Sequence, residues 1–399
     1  MIRKETLDDL AFFGGPKAFP ENLYVGRPNI GDRERFLGRV NDILDRKWLT
    51  NNGRYVQEFE KRVADFLGVR HCISMCNGTI ALEIAIRALG MKGEVIVPSF
   101  TFVATAHSLQ WQQITPVFCD IDPETHNIDP GQVEKLITPR TTGIIGVHLW
   151  GRPCPVDALV EIAQRRNLKL LFDAAHAFGC SSGGRMVGGF ADAEVFSFHA
   201  TKFFNTFEGG AVTTNSDDLA GRIRLMKNFG FAGYDNVIYI GTNGKMTEVA
   251  AAMGLSSLEC IDGIIEANRR NHLQYRQELL GIPGIRGIAY DESERCNFQY
   301  MVLEIDEEEA GIPRDLLIKI LHAENVIARR YFFPGCHNME PYRSFFPHAG
   351  LLLPNTQRLV NRVILLPTGT SVGPEMVSGI CGIIRFAIRN HRELAARAE

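Results

Sequence analysis

No run of about 18 consecutive apolar residues occurs in this 399-residue chain, so no membrane-spanning helix and no membrane partner are expected. A basic surplus is missing too. The 43 Lys and Arg are outnumbered by 46 Asp and Glu, for a formal charge of −3, and the cations are scattered rather than striped. That balance argues against nucleic acid as the main partner. A small anionic ligand stays compatible with it, because one pocket can be positive on a near-neutral protein. The opening segment Met1–Leu10 has Asp8 and Asp9 where a secretory leader needs an apolar stretch, so a cytoplasmic location is expected. The nine cysteines are odd in number, scattered and mostly set among apolar residues. No CxxC pair comes with a suitable His spacing, so they read as reduced core residues with no structural metal. Internal repeats and low-complexity tracts are absent.

What is present is an ordinary globular composition, 45% hydrophobic and 22% charged, in a chain longer than one typical domain. Residues 1–50 mix Gly14-Gly15-Pro16, Pro20 and Pro28 with one amphipathic helix from about Asp32 to Arg46, and read as an arm. Val56, Phe59, Val63 and Phe66 then fall at helical spacing. After them, short apolar runs alternate with helical patterns. Glu94–Pro98, Pro116–Cys119, Gly143–Leu149 and Leu168–Phe172 read as buried strands, and Pro155–Asn167 as a helix with a first-turn proline. This alternation predicts an α/β fold, a mostly parallel central sheet flanked by helices, over residues 51–255. Beyond Ala250 a long helical stretch leads into strand-like runs at Gln299–Ile305 and Val326–Phe332. A linking helix and a smaller α+β domain are therefore expected over 256–399.

Three segments are candidates for chemistry. Cys76-Asn77-Gly78-Thr79 stands directly before the apolar helical run Ile80–Leu89. A glycine and a hydroxyl residue at a helix start offer free N–H groups and the positive dipole end to a phosphate. The plain alternative is an N-cap by Asn77 or Thr79. Leu171-Phe172-Asp173-Ala174-Ala175-His176 puts a carboxylate at the end of an apolar strand, where ligands bind in open α/β sheets. Asp173 could equally cap a following helix, and His176 could be a satisfied core histidine. The third segment runs from Val195 to Ala211 and sets Lys202 among Phe196, Phe198, Phe203 and Phe204, ahead of Gly209-Gly210. Desolvation there favours the neutral amine that attack on a carbonyl requires, whereas the alternative is a surface lysine between two strands.

The spacing of Asp173-Ala-Ala-His176, Ser197-Phe-His-Ala-Thr-Lys202 and Glu208-Gly-Gly210 resembles the DegT family of sugar aminotransferases, of fold type I. Further segments share the likeness, which spans roughly residues 25–390. They are Trp48–Gly53, Pro98–Thr105, Val147–Gly151 and Gly241–Glu248. The resemblance implies pyridoxal 5′-phosphate (PLP) as cofactor, cycling through pyridoxamine 5′-phosphate, with Lys202 as the lysine that carries it. Asp173 would pair with the pyridine nitrogen, His176 would reach the ring hydroxyl, and Phe102 would stack on the ring. Gly78, Thr79 and Ser197 would hold the phosphate, and Asn243 would reach it from the other subunit of a homodimer with shared active sites. Asn51, Lys245, Arg329 and Tyr331 would contact substrate. Arg329 lies where such enzymes approach the nucleotide, although a surface ion pair is an equal reading. Two departures fall near the substrate mouth: many relatives carry arginine at the position of Lys245 and Gly-Pro at Gly53-Arg54.

Within the family the chain resembles the C-4 aminotransferases of desosamine and viosamine biosynthesis, through Leu10–Pro16, Val25–Asn29, Trp48–Asn52 and Lys202–Gly210. The expected substrates are a thymidine-diphosphate-linked 4-keto-6-deoxy-glucose and an amino-acid donor, L-glutamate. C-3 members typically carry Asn-Leu-Gly and then Gly-Asp-Gly-Gly after the lysine, whereas Phe203-Phe204-Asn205-Thr206-Phe207-Glu208 stands here. Amination at C-3 is the nearest alternative. Relatives that replace the lysine by histidine remove a sugar hydroxyl instead, and Lys202 argues against that chemistry because amino transfer needs a primary amine. A non-catalytic regulator would need a basic helix-turn-helix module, for which the first 50 residues are too short and too rich in Gly and Pro.

Overall fold

The computed structural model describes residues 4–398; residues 1–3 and 399, the outermost ends of the expected arm and C-terminal domain, lie outside the described residues. Seven segments form the central sheet: β1 (His71–Met75), β2 (Glu94–Pro98), β3 (Thr115–Cys119), β4 (Thr141–Val147), β5 (Lys169–Asp173), β6 (Ala193–Ser197) and β7 (Gly210–Thr214). Their order across the sheet is β1-β7-β6-β5-β4-β2-β3. Only β7 runs against its neighbours. The other six point one way, so the carboxyl ends of β1, β2, β5 and β6 open on the same edge of the sheet.

The strands are apolar throughout because both faces are covered. On one face the helix Gly78–Leu89 presses Ala81, Leu82, Ala85 and Ile86 against Val95, Val97, Leu171 and Val195. On the other, the helices Arg54–Leu67 and Glu248–Leu258 bring Phe59, Val63, Ala251 and Leu255 against Phe196, Phe198 and Ala211. Glu248 also fixes where the first of these two begins. Its carboxylate accepts the N–H groups of Tyr55 and Val56, each at 2.9 Å, and a Cβ on Gly53 would stand 2.6 Å from the Glu248 carboxyl carbon. Glycine at position 53 is thus required by a close approach.

A second, antiparallel sheet contains β8 (Ile285–Gly287), β9 (Met301–Ile305) and β10 (Val363–Leu366) in that order. The helices Ile261–Leu279, Arg314–Ala323 and Pro374–Arg389 share a core with it through Tyr275, Leu317, Leu321 and Ile380. The arm docks here. Glu324, fully buried, accepts the N–H groups of Ala11 at 2.8 Å and Ala18 at 2.7 Å, and pairs with Lys4 at 2.9 Å.

Several element boundaries differ from the sequence reading, among them Gln299–Ile305, which is strand only from Met301. Val326–Phe332 is strand only at Val326–Ile327, paired with Leu23–Tyr24. Arg329 then bridges to Leu365 and the chain turns, with Gly335 N–H donating to the Phe332 carbonyl. The helical stretch beyond Ala250 is two helices, Glu248–Leu258 and Ile261–Leu279, because Cys260 leaves helical geometry. Pro155 is the N-cap of Val156–Arg166 rather than its first residue. β4 ends at Val147, His148 follows it, and Leu149 opens a tight turn over Leu149–Gly151. All nine cysteines are free, and only Cys76 and Cys260 are not fully buried.

Candidate active site

A cavity of about 560 Å³ opens on the edge where those four strands end. Gly78, Thr79, Phe102, Asp173, His176, Ser197, Lys202 and Tyr331, far apart in sequence, all line it. Behind β1 the chain enters the helix Gly78–Leu89 through Asn77, whose side chain accepts the Ile80 N–H at 2.8 Å. The capping alternative is therefore true of Asn77, and it does not use up the helix end. The N–H groups of Gly78 and Thr79 have no acceptor among the described residues, and they stand at the positive end of a 12-residue helix. Close packing keeps them accessible. A Cβ on Gly78 would sit 2.9 Å from the Ser197 Cβ, and a Cβ on Gly210 would sit 2.7 Å from the Gly78 nitrogen. Ser197, at the end of β6, supplies a hydroxyl to the same cup.

Asp173 ends β5 and is buried. Its carboxylate accepts the Thr105 hydroxyl at 2.8 Å and the Ala175 N–H at 3.1 Å. No helix follows it, so it is not a cap; the chain turns through Ala174–Cys180 instead. Burial raises the Asp173 pKa, and its two hydrogen bonds and the nearby Lys202 act against that rise. A carboxylate held this way has no cation within hydrogen-bond range among the described residues, which fits a ligand that brings a positive charge. His176 accepts the Trp150 N–H on Nδ1 at 3.3 Å, and its ring stacks on Phe332, 5.8 Å between centroids. Burial and the neighbouring Lys202 push its pKa well down, so it is neutral, with Nε2 left to carry a proton.

Lys202 follows β6 in the turn that leads to β7. Phe198, Phe203 and Phe204 bury themselves in the core around Phe59 and Phe178, which leaves the lysine half-buried at the cavity wall. Burial lowers its pKa from 10.5 to about 8, with Asp173 opposing. The surface-lysine alternative does not hold. Phe102, directly before the helix Val103–Gln110, exposes its ring to the cavity mouth and meets Phe332 at 6.2 Å.

Four expected residues lie apart from this cavity. Asn51 and Lys245 line a different one of about 760 Å³, where Lys245 donates to Asn228 at 3.2 Å and covers the ring of Phe229. Asn243 is exposed; its carbonyl faces the Cys76 thiol at 3.9 Å. Arg329, also exposed, lies over the ring of Tyr331 at 5.0 Å. Sequence reasoning missed Thr105, Tyr300 and Phe332. Thr105 closes the segment Pro98–Thr105, and its helical offset of four from Thr101 was the available signal; the other two are brought in by the second sheet. Among the described residues no group of three or more His, Cys, Asp or Glu is placed to hold a metal ion, and no helix is long and apolar enough to cross a membrane.

A polar cup for an anion, a buried carboxylate, a neutral histidine and a lysine of lowered pKa, all in one aromatic-walled pocket, fit PLP group by group. Comparison with known proteins agrees. The model of the DegT/DnrJ/EryC1/StrS aminotransferase family matches residues 31–385. A dTDP-4-amino-4,6-dideoxy-D-glucose transaminase of Shigella dysenteriae is 40% identical over 363 residues, 91% of this chain and 98% of that one. A GDP-perosamine synthase of Caulobacter vibrioides is 38% identical over 324 residues, 80% and 86% of the two chains. The crystal structure of DesI in the presence of its TDP-sugar product superposes with a TM-score of 0.95 at 52% identity, covering 98% of this chain and all of that one.

Proposed function

The chain belongs to the DegT/DnrJ/EryC1/StrS aminotransferase family, and from that premise we propose that it aminates C-4 of dTDP-4-keto-6-deoxy-D-glucose, giving dTDP-4-amino-4,6-dideoxy-D-glucose. The observation that carries the reading is the convergence of Lys202, Asp173 and the Gly78 helix end in one cavity. The position of nitrogen and the nucleotide rest on the Shigella relative's name and on the likeness to DesI. Glutamate is the proposed donor. The proposed unit is a cytoplasmic homodimer in which Asn243 completes the partner's phosphate site, with residues 51–255 as the cofactor domain and 256–399 as the linking helix and smaller α+β domain.

PLP, when bound, supplies a carbonyl carbon and an electron-withdrawing ring. The residues of the chain do the rest. Gly78, Thr79 and Ser197 hold the phosphate and so fix the cofactor's register. Asp173 holds a proton on the ring nitrogen, and its burial gives that charge pair a low-dielectric setting. His176, neutral, presents Nε2–H to the ring hydroxyl. Lys202 Nζ, with its pKa near 8, takes a proton and returns it at near-neutral pH, as a general base and then a general acid. Phe102 and Phe332 keep water from one side of the pocket.

Regiochemistry depends on which carbonyl carbon comes within about 3–3.5 Å of the attacking nitrogen, so a small rotation of the hexose decides it. Supplying 4-keto and 3-keto sugar nucleotides separately, with PLP and glutamate, and locating the new nitrogen by NMR tests this. Nitrogen at C-4 is expected; preference for the 3-keto compound overturns the C-4 assignment.

A further inference from the structure

Of the side chains that the second sheet brings to the cavity, Tyr300 is the one that meets Lys202. Tyr300, the residue before β9, is buried, and its hydroxyl lies 3.5 Å from Lys202 Nζ. Nζ has no other hydrogen-bond partner among the described residues.

The phenol is held from several sides. The Tyr290 hydroxyl donates to the Tyr300 carbonyl at 3.2 Å, and the Tyr300 ring stands edge-on to His176 at 5.0 Å and to Tyr331 at 6.3 Å. Met301, next in the chain, is already paired with Leu366 in the second sheet. A parallel contact fastens the lysine loop to the same segment: the Phe203 N–H donates to the Gln299 side chain at 3.1 Å. Residues 202–203 and 299–300 are thus joined at two adjacent points. These contacts fix the backbone at residues 203 and 300 and the ring of Tyr300, so the phenol is a fixed point within reach of the Lys202 side chain.

We propose that Tyr300 is the positioning residue for Lys202, its hydroxyl accepting from the ammonium and donating to the neutral amine, so that Nζ stays aimed across the cavity in both protonation states. A phenol suits the task because it both donates and accepts, which a carboxylate or a carbonyl does not. Burial raises the Tyr300 pKa, so the hydroxyl keeps its proton throughout the working range. A contact of 3.5 Å is long, as such contacts often are before a ligand closes the site. The proposal rests on the cofactor reading given above.

The test compares Tyr300→Phe with the unaltered full-length chain, both freed of cofactor. Capture of PLP joins Nζ to the aldehyde carbon and releases the aldehyde oxygen as one water, with no oxidant or reductant. Its rate is followed by absorbance, and the product is fixed with borohydride at Lys202. Pyridoxamine 5′-phosphate has no aldehyde, so its affinity reports the pocket without the lysine. Tyr300→Phe is expected to slow capture at least tenfold while changing pyridoxamine phosphate affinity less than twofold. Tyr275→Phe removes a buried hydroxyl from the core of the second sheet, where it donates to the Pro367 carbonyl away from the cavity, and is expected to leave the capture rate within twofold. Unchanged capture in Tyr300→Phe, or equal losses for both cofactor forms, would overturn the proposal. Absence of capture by the unaltered chain would instead overturn the cofactor reading beneath it.

Discussion

The Thr105 hydroxyl donates to Asp173 Oδ2 at 2.8 Å and also shares a hydrogen bond with the Thr101 hydroxyl at 3.0 Å, so the buried carboxylate is oriented by neutral groups and left unneutralised. Its charge is available to a ligand. Asp173→Asn keeps the shape and removes the charge. Turnover should fall by about 10²-fold or more, the scale on which a preorganised electrostatic partner acts, and KM should change far less. Steady-state kinetics at saturating cofactor check this, and turnover near wild type would take Asp173 out of the mechanism.

Gly78→Ala tests the phosphate cup. The new methyl would meet the Ser197 Cβ at 2.9 Å, and overpacking of that kind typically costs about 1–3 kcal/mol. Because the strain falls on groups that face the cavity, pyridoxamine phosphate affinity should drop roughly tenfold to a hundredfold. Titration by fluorescence measures it. An unchanged affinity would place the phosphate elsewhere.

Sharing of sites between subunits can be read by complementation. Lys202→Ala alone should lower amino transfer by more than about 10²–10⁴-fold, since it removes the proton-transferring group. Asn243→Ala should be impaired through the partner's cofactor. Mixed and allowed to exchange, the two variants should regain activity, because one site of each heterodimer keeps both residues. Failure to recover after exchange is demonstrated by mass spectrometry would put Asn243 and Lys202 in the same chain's site.

His272 gives the fold a pH dependence of its own. It is buried between Tyr290 and Phe298, and neither ring nitrogen has a hydrogen-bond partner among the described residues. Burial, aided by Arg276, lowers its pKa from 6.5 to about 4. Between those values the unfolded chain binds a proton that the folded chain refuses, so stability is full above about pH 6.5 and is lost as the pH falls towards 4. The loss approaches about 3 kcal/mol. Urea unfolding across this range should show it, and His272→Leu should flatten the slope; an identical slope in the variant would assign the effect to other groups.

The parts legible in the sequence were those written locally. Asp173 ends an apolar run, Gly78 opens one, and Lys202 sits among four phenylalanines, so a strand end, a helix start and a desolvated amine could each be read from their neighbours. The antiparallel placement of Gly210–Thr214 could not be, because nothing in five residues records which strands lie beside them. Tyr300 and Phe332 escaped for the same reason, since they reach the cavity only when the second sheet docks. Arg329 and Tyr331 looked like one continuous strand with Val326, yet the pairing stops at Ile327 and the aromatic run folds into the cavity wall instead.

The single carboxylate of Glu324, gripping Lys4, Ala11 and Ala18, makes the arm part of the cooperative unit rather than a tail. If the arm peels away, an anion is left in an apolar interior with its donors gone, a state that removal of one partner from a buried pair disfavours by several kcal/mol. Detachment is therefore coupled to loosening of the second sheet, and the Ala11 and Ala18 amide protons should exchange with solvent in step with those of Met301–Ile305. For anyone trimming or tagging the chain, the segment from Lys4 to Ala18 belongs to the foundation of the domain that carries Tyr300.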